Sequence, residues 1–249
     1  MRKICISLSK GGVAKSTTAV TLAHGLSLKD KKVLLVDTDD QGHDDDLLGV
    51  VPEFGLAEVL NEQVSVSKAI YQARDNLYIL SGGLALAGVK KSIAKRDFGG
   101  EKALINALKE IENQFDYVIV DTSPAWDTLT VNSLFYCNEI LMPVSLDILS
   151  LNSLIEFKHR LDEIKDYKNE EIIEHILPTF ADGRVKKTSE ILEILENHYS
   201  TILMPLIRYC ARIAEAPGFG KTIFEYAPKS NSAIDYSKVI ERIYETKNT

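Results

Sequence analysis

The segment from Ser9 to Thr17, SKGGVAKST, contains the residue types that bind phosphate, and we call it the phosphate loop. It lies between an apolar run that predicts a strand and a periodic stretch that predicts a helix. In that setting consecutive backbone N–H groups and a helix N-terminus point at an anion. The Lys15 ammonium can reach the β and γ phosphates, and the Ser16 hydroxyl can ligate Mg²⁺.

The strict pattern G-x-x-x-x-G-K-[ST] is not met, because Ser9 and Ala14 stand at its two glycine positions. A methyl group at residue 14 is costly only where the backbone has a positive φ, and we expect it to be tolerated. On the loop alone, a glycine-rich turn with exposed lysines remains an alternative.

Two further apolar runs end in carboxylates. The run Val33–Val36 is followed by Asp37 and Asp39, and the run Tyr117–Val120 is followed by Asp121. The ligand of a parallel sheet lies beyond the carboxyl ends of its strands, so Asp37 and Asp121 are expected to face the phosphate loop. Asp37 by itself is equally compatible with a structural role.

More acidic residues follow the first of these carboxylates. Asp40 and the run Asp44-Asp45-Asp46 would place several negative charges near a phosphate site, which is unfavourable unless they face solvent. We interpret the run as a solvated loop in preference to a second metal site.

The elements that must position these residues alternate between strands and helices. Near-continuous apolar strands of this kind indicate an α/β fold with a doubly wound, mostly parallel sheet and helices on both faces. No linker divides the chain, so we expect a single domain over residues 1–249. The predicted strands are Lys3–Leu8, Lys32–Val36, Leu77–Leu80, Tyr117–Val120, Glu139–Pro143, Ile172–Leu177 and Ile202–Met204. The predicted helices are Ser16–Leu28, Lys102–Ile111, Leu151–Ile164, Glu190–Glu196 and Ala233–Tyr244.

Composition excludes several classes of protein. With 249 residues, 45% of them hydrophobic and 26% charged, the chain is neither disordered nor collagen-like. No apolar stretch approaches the ~18–20 residues of a membrane span. Three widely separated cysteines indicate a reducing, intracellular location and no metal site of usual spacing. Because the net charge is −7, the protein would need a local patch of basic residues to bind nucleic acid.

Three motifs carry a resemblance to a known family. The phosphate loop resembles the K-G-G-x-G-K-[ST]-T loop of the deviant Walker A ATPases, the ParA/MinD superfamily. VLLVDTDDQG (33–42) resembles V-L-L-[IV]-D-x-D-P-Q-G, with Asp40 in place of proline, and FDYVIVDTSP (115–124) resembles the Walker B strand and switch II. RIAEAPGFGK (212–221) is closer to ParA and Soj than to MinD. The resemblance covers most of residues 1–245 and is to the small form without an N-terminal helix-turn-helix.

The resemblance implies a P-loop ATPase fold and a set of site residues. The implied catalytic residues are Lys10, Lys15 and Asp39, of which Lys10 would cross to the phosphates of a partner subunit and Asp39 would position the attacking water. Mg²⁺ would be held by Ser16 and, through water, by Asp121. The implied nucleotide-binding residues are Lys10, Gly11, Gly12, Val13, Ala14, Lys15, Ser16 and Thr17, with Thr179 and Pro217 beside the adenine.

The family also implies a function. It predicts a slow, partner-stimulated ATPase that forms an ATP-dependent homodimer, binds DNA without sequence preference and partitions or positions a plasmid, a chromosome or another large cargo. The stimulating partner would be a ParB-like or cargo-adaptor protein, and the location cytoplasmic and nucleoid-associated, with no membrane. The candidate DNA-binding residues are Arg212, Lys221, Lys238 and Arg242.

The candidate DNA-binding residues could also belong to an ordinary charged surface. Between Arg208 and Lys247 there are seven basic and five acidic residues, a modest excess that an ordinary charged surface would also show. Tyr209 stands where relatives often carry a further arginine, which weakens the expectation.

Two other functions remain as alternatives. A MinD-like, membrane-associated regulator of the cell-division site would need an amphipathic C-terminal helix, whereas residues 240–249 are short and polar. A metabolic P-loop enzyme is the other. Against it, Cys5, Cys137 and Cys210 do not match the positions of an iron-protein cluster, and no substrate domain for an amide-forming ligase is recognisable.

Overall fold

Seven strands form one sheet in the structure, a computed structural model that describes residues 1–246 apart from the side chain of Lys187. Their order across the sheet is β3-β4-β2-β5-β1-β6-β7, and every neighbouring pair is parallel except β3 with β4. The strands are β1 (Arg2–Ile6), β2 (Val33–Asp37), β3 (Tyr71–Arg74), β4 (Leu77–Leu80), β5 (Tyr117–Asp121), β6 (Glu139–Ser145) and β7 (Ile173–Thr179).

The connections between the strands are mostly helical. Short 3₁₀ turns at Gly100–Lys102, Lys109–Ile111 and Ala216–Phe219 supplement the α-helices. The helices are α1 (Lys15–Ser27), α2 (Asp44–Leu48), α3 (Leu56–Leu60), α4 (Val66–Ala69), α5 (Leu86–Ala94), α6 (Ala103–Leu108), α7 (Thr128–Tyr136), α8 (Ile148–Lys168), α9 (Lys186–Tyr199), α10 (Ala211–Glu215), α11 (Ile223–Tyr226) and α12 (Asn231–Glu245).

Two apolar clusters cover the two faces of the sheet, because successive strand residues point to opposite sides. Ile4 and Ile6 of β1 pack in one cluster with apolar residues of α1 and α12. The residues from α12 include Val239, Ile240 and Ile243. Cys5, between Ile4 and Ile6, belongs to the other cluster, with helices α3 to α9. Helices therefore cover both faces, and the predicted doubly wound α/β fold is confirmed.

The ends of three central strands bring the predicted site together. In the register of the sheet Asp121 of β5 is the partner of Ile6 in β1 and of Asp37 in β2. The loops that leave these strands therefore start from one point on the carboxyl edge. This edge is where an open α/β sheet binds its ligand.

Two details of the sheet differ from the sequence prediction. The predicted strand Ile202–Met204 is wrong: it forms one isolated bridge, Leu203 with Ile176, at the edge of the sheet. The antiparallel edge strand β3 was not predicted, because its sequence YQAR is polar and largely exposed. Within residues 1–246, none of the helices has the length and apolar character needed to span a membrane.

Candidate functional site

The phosphate loop connects the central strand β1 to the N-terminus of α1. The first N–H groups of a helix have no intrahelical partner, so they are available to an anion. At Gly11 and Gly12 a Cβ atom would meet nothing within 4 Å, so the loop presents open backbone. The Lys15 side chain is buried, and its Nζ donates a hydrogen bond of 2.8 Å to the Lys10 carbonyl oxygen.

Ala14 holds the loop in a strained conformation. Its φ of 73° and ψ of 34° lie in the left-handed region, immediately before the first residue of α1. A residue with a Cβ costs roughly 1–2 kcal/mol there. The methyl group that was expected to be tolerated is therefore tolerated at the expense of backbone strain.

The structure brings the two predicted magnesium residues into contact. Ser16 Oγ donates a hydrogen bond of 2.6 Å to Asp121 Oδ2. The other oxygen, Asp121 Oδ1, is buried and has no hydrogen-bond partner among the described residues. A hydroxyl beside a carboxylate with a free oxygen is a donor set that suits Mg²⁺ and its water ligands.

Burial and mutual repulsion govern the ionisation of the site. Burial and the neighbouring Asp37 raise the pKa of Asp121 to about 8, although Ser16 and Lys15 oppose the shift. Burial likewise raises the pKa of Asp37 to about 7, against the hydrogen bonds from the Asp39 and Asp44 backbone. Desolvation lowers the pKa of Lys15, while Asp121 and Asp39 act in the opposite direction. The site thus places several carboxyl groups around the Lys15 ammonium.

Asp37 and Asp39 fix the loop that follows β2. Asp37 Oδ1 accepts a hydrogen bond of 2.8 Å from the Asp39 N–H, and Asp39 Oδ1 accepts one of 3.1 Å from the Gln41 N–H. Asp39 is buried, and its charge acts on Lys15. The Asp39 carboxylate is thus within electrostatic range of the phosphate loop.

The interpretation of the acidic run as a solvated loop is wrong for its first member. Asp46 is exposed and Asp45 is half-buried, but Asp44 is fully buried at the first residue of α2. Its backbone N–H donates to Asp37 Oδ2 at 3.4 Å, which places Asp44 beside the site. Helix α2 also buries Leu48, so its N-terminal residue is drawn inward with it.

A glycine pair after β4 supports the same loop and was missed in the sequence. A Cβ on Gly82 would lie 2.6 Å from the Asp39 carbonyl oxygen and 2.8 Å from Asp37 Cγ. A Cβ on Gly42 would lie 2.6 Å from the Gly83 Cα. The signal was the Ser-Gly-Gly that directly follows a predicted strand, since such glycines mark a close approach of backbone.

Asp40 takes part in a link between two site loops. Lys90, on α5, forms ion pairs of 3.3 Å with Asp40 and 2.6 Å with Asp127. Burial alone would raise the pKa of Asp40, but the charge and hydrogen bond of Lys90, together with a hydrogen bond from Gln41, outweigh it and the net shift is downward. The residue that replaces the family's proline thus ties the loop after β2 to the loop after β5.

The two residues expected beside the adenine lie on different cavities. Thr179 donates a 3.2 Å hydrogen bond to the Val13 carbonyl oxygen, and it lines a cavity of about 260 Å³ together with Gly12, Ala14 and Thr17. Pro217 instead lines a separate cavity of about 20 Å³ beneath α10. Both cavities include Thr17, so they flank the first turn of α1 from two sides.

The candidate DNA-binding residues fall into separate groups. Arg212 lines a surface hollow of about 540 Å³ with Lys229, and its pairing with Glu215, at 3.6 Å, is exposed. Lys238 and Arg242 are exposed one turn apart on α12, and Arg242 donates a hydrogen bond to the Leu203 carbonyl oxygen. Lys221 lines the small cavity with Pro217. Lys247 lies outside the described residues.

Comparison with known proteins identifies one matching family and several similar proteins. A family described as an AAA domain matches residues 1–174. The chain is 32% identical over 245 residues to the chromosome-partitioning ATPase Soj of Thermus thermophilus, which covers 98% of this chain and 95% of that protein. It is 29% identical to the chromosome partitioning protein ParA of Myxococcus xanthus, over 94% of this chain and 85% of that protein.

Several similar solved structures contain a nucleotide. Cobyrinic acid a,c-diamide synthase from Mycobacterium smegmatis, with bound ATP analog and magnesium, gives a TM-score of 0.84 at 27% identity. The match covers 98% of this chain and 94% of that chain.

Proposed function

The chain belongs to the ParA/Soj family of P-loop ATPases, and from this premise we propose that it is an ATP-driven switch that partitions or positions DNA or another large cargo. The observation that carries the proposal is the convergence of the phosphate loop with the ends of β2 and β5. The Ser16–Asp121 hydrogen bond of 2.6 Å joins two of these segments directly.

Nucleotide binding is assigned to the phosphate loop and the cavity beside it. The backbone of residues 10–17 and the Lys15 ammonium would bind the phosphates. The cavity lined by Thr179 and Ala14 adjoins this loop and would take the base. Pro217 lines the separate small cavity, so its contact with the base would need the 3₁₀ turn Ala216–Phe219 to move.

Magnesium fits the pair formed by Ser16 and Asp121. When bound with the nucleotide, the ion would offset charge on the β and γ phosphates. Asp121 would act through its free Oδ1, and Ser16 through the hydroxyl that now donates to Oδ2. The similar structure from M. smegmatis contains magnesium together with an ATP analog, which supports the assignment.

Hydrolysis is assigned to Asp39. A carboxylate one hydrogen bond from water can orient that water and accept its proton. Two backbone hydrogen bonds hold this residue and its loop: the Asp39 N–H donates to Asp37, and the Gln41 N–H donates to Asp39. Slow turnover is expected, since a switch must persist in its ATP form.

The remaining parts of the function concern assembly. Lys10 would reach the nucleotide of a second copy of the chain, so that two subunits close over two nucleotides. The dimer would bind DNA through Arg212, Lys221, Lys238 and Arg242, and a ParB-like or cargo-adaptor protein would stimulate hydrolysis. In this proposal the dimer is the form that binds DNA, because it carries two copies of a modest basic patch and so contacts twice as many phosphates.

An Asp39→Ala variant tests the assigned chemistry. We expect hydrolysis at least ~100-fold slower, with Mg·ATP binding retained, because general-base groups contribute on that scale. Single-turnover phosphate release and equilibrium binding of a fluorescent ATP analogue measure the two properties separately. Asp46→Ala, on an exposed acid of the next helix, is the control. Hydrolysis by Asp39→Ala at the parental rate would remove Asp39 from the mechanism.

Amide formation is a second candidate because of the similar M. smegmatis structure, which is described as a diamide synthase. Such an enzyme would need a carboxylic acid and an amide or ammonia donor for turnover. The partition proposal predicts that phosphate release needs ATP, Mg²⁺ and water alone. Phosphate release that appears only after an acid and a nitrogen donor are added would favour the synthase.

The packing of α12 disfavours a membrane-bound regulator. Its apolar residues Val239, Ile240 and Ile243 are buried in the cluster shared with α1. That face is therefore committed to the fold and is not free to enter a lipid surface. Sedimentation with liposomes in the presence of ATP tests this, and we expect no binding.

A further inference from the structure

Three buried carboxylates meet between the end of β2, the start of α2 and the end of β5. One oxygen each from Asp37, Asp44 and Asp121 lies within 4.8 Å of the other two. The three residues are 1%, 0% and 1% exposed, respectively. We call this group the acidic triad.

Asp44 is the member of the triad that the nucleotide site does not explain. Both of its carboxylate oxygens are buried without a hydrogen-bond partner among residues 1–246. Asp37, by contrast, accepts from two backbone N–H groups, and Asp121 accepts from Ser16. A buried carboxylate with no partner is costly, and proteins normally supply a pair or a metal ion.

The nearby charges do not supply the missing partner. Burial raises the pKa of Asp44 well above its usual range, and the charges that act on it most strongly are the carboxylates of Asp121, Asp37, Asp45 and Asp39. The Lys15 ammonium is directed to the Lys10 carbonyl oxygen. The triad therefore brings several carboxylate oxygens together without a cation that would balance their charge among the described residues.

We propose that the acidic triad is a binding site for a hard divalent cation such as Ca²⁺ or Mn²⁺, and that it binds this cation without nucleotide. The donors are all carboxylate oxygens, which hard cations prefer. The three oxygens all lie within 4.8 Å of one another, close enough for one cation with bonds of about 2.4 Å to contact all three.

This site differs in most of its ligands from the magnesium assigned to the nucleotide. That ion uses Ser16 and the phosphates, whereas the triad uses Asp37 and Asp44, and only Asp121 is common to both. The cation would join the loop after β2 to the end of β5. Because Asp37 also accepts from the Asp39 N–H, the cation would hold Asp39 in place before ATP arrives.

The test is a calorimetric titration of the nucleotide-free full-length chain with MnCl₂ and with CaCl₂, after treatment with a chelator. We expect one cation for each chain and a higher melting temperature when it is bound. Asp44→Asn keeps the shape of the side chain but removes its charge, and should weaken the affinity at least tenfold. Asp46→Asn, on the exposed neighbour, should bind as the parent does.

Ser16→Ala separates this site from the nucleotide site. It should keep cation binding in the absence of nucleotide while losing magnesium-dependent ATP binding. The proposal is overturned if the parent protein shows no cation binding without nucleotide, since protons would then neutralise the triad. It is also overturned if Asp44→Asn binds as tightly as the parent, or if Ser16→Ala loses binding as severely as Asp44→Asn. None of these outcomes depends on hydrolysis, so the proposed function is tested independently.

Discussion

Ala14 is the residue where the phosphate loop carries measurable strain. With φ at 73°, its methyl group occupies a conformation that glycine adopts freely. We expect Ala14→Gly to raise the free energy of unfolding by up to ~1 kcal/mol. Relief of roughly 1–2 kcal/mol of strain is offset by about 0.4–1 kcal/mol from the greater freedom of the unfolded glycine.

Urea unfolding followed by circular dichroism measures this change. Ala87→Gly, at an exposed position of α5, is the matched control and should lose up to ~1 kcal/mol, as glycine does in a helix. Opposite signs for the two variants are the expected result. If both substitutions destabilise the chain equally, the loop at residue 14 is not strained.

The family resemblance implied Ser16 and Asp121 as magnesium residues, and they are in contact because β1 and β5 are adjacent parallel strands that end at the same edge. The sequence could not predict that Asp44 is buried. Three consecutive acids usually lie in water, and only the packing of α2, through Leu48, turns the first of them inward. The same limit applies to Lys90, whose two partners Asp40 and Asp127 come from distant parts of the sequence.

At the scale of elements, the loop after β4 acts as a support for the loop after β2. We expect Gly82→Ala to lower the free energy of unfolding by ~1–3 kcal/mol, as over-packing does, because the new Cβ would lie 2.6 Å from a backbone oxygen of Asp39. ATP hydrolysis should fall as well, since Asp37 and Asp39 would both be displaced. Chemical denaturation and a phosphate-release assay measure the two effects.

Gly88→Ala provides the comparison for that experiment. Gly88 lies in α5, is exposed, and has nothing within 4 Å of the position of a new Cβ. Its replacement should stabilise the chain by up to ~1 kcal/mol through helix propensity. A Gly82→Ala protein as stable and active as Gly88→Ala would show that the contact with Asp39 is not tight.

The packing of α1 on α11 predicts a dependence of stability on pH. Burial lowers the pKa of His24, with Arg74 in the same direction and Glu225 opposing it. His24 Nδ1 and Thr222 Oγ1 are hydrogen-bonded at 2.6 Å, and the Phe224 ring meets the imidazole edge-on. The folded state therefore favours neutral His24 at a pH where the unfolded chain takes up a proton.

The sign follows from that difference. Since the unfolded state binds more protons below about pH 6.5, His24 should reduce the stability as the pH falls from 7 to 5. His24→Asn, whose amide can still bond to Thr222, should lose less stability over this range, by at most ~1.4 kcal/mol for each pH unit. Thermal unfolding at several pH values tests this, with the exposed His159→Asn as control. Parallel profiles for parent and His24→Asn would contradict the assignment.

Within residues 1–246, hydrophobic periodicity predicted six of the seven strands but only five of the twelve helices, and the two errors in the strands have a common cause. The predicted strand Ile202–Met204 has apolar residues but lies beyond β7, where only a single bridge forms. β3 pairs at the opposite edge of the sheet through its backbone and does not need an apolar sequence. Edge positions are decided by tertiary contacts, so local pattern predicts them poorly.

At the scale of the whole molecule, the distribution of charge determines where the chain can bind DNA. The net charge of −7 opposes binding in general, so any affinity must come from a local group of basic residues. Arg212 and Lys229 line one hollow, and the exposed ion pair between Arg212 and Glu215 is a weak competitor. One such group of basic residues can contact few phosphates, but a dimer would present two groups.

The final prediction concerns the salt dependence of that binding. With Mg²⁺ and a non-hydrolysable ATP analogue, the protein should form a dimer and bind DNA of unrelated sequences, and without nucleotide it should do neither. Each phosphate contact contributes about −0.9 to the slope of log affinity against log salt concentration. Because a dimer loses two contacts at once, Arg212→Ala should reduce the slope by about 2 and weaken binding at low salt.

Two further variants make this measurement decisive. Lys10→Ala should remove dimer formation and DNA binding together while each chain still binds ATP, if Lys10 acts on the nucleotide of the partner. Lys109→Ala is the control for lost charge: this exposed lysine follows α6, which packs on the face of the sheet opposite α12, and its loss should leave the slope unchanged. Light scattering and fluorescence anisotropy over a salt series give mass and affinity on the same samples. Equal binding with and without nucleotide, or an unchanged slope in Arg212→Ala, would mean that closure of the dimer does not create the DNA-binding surface.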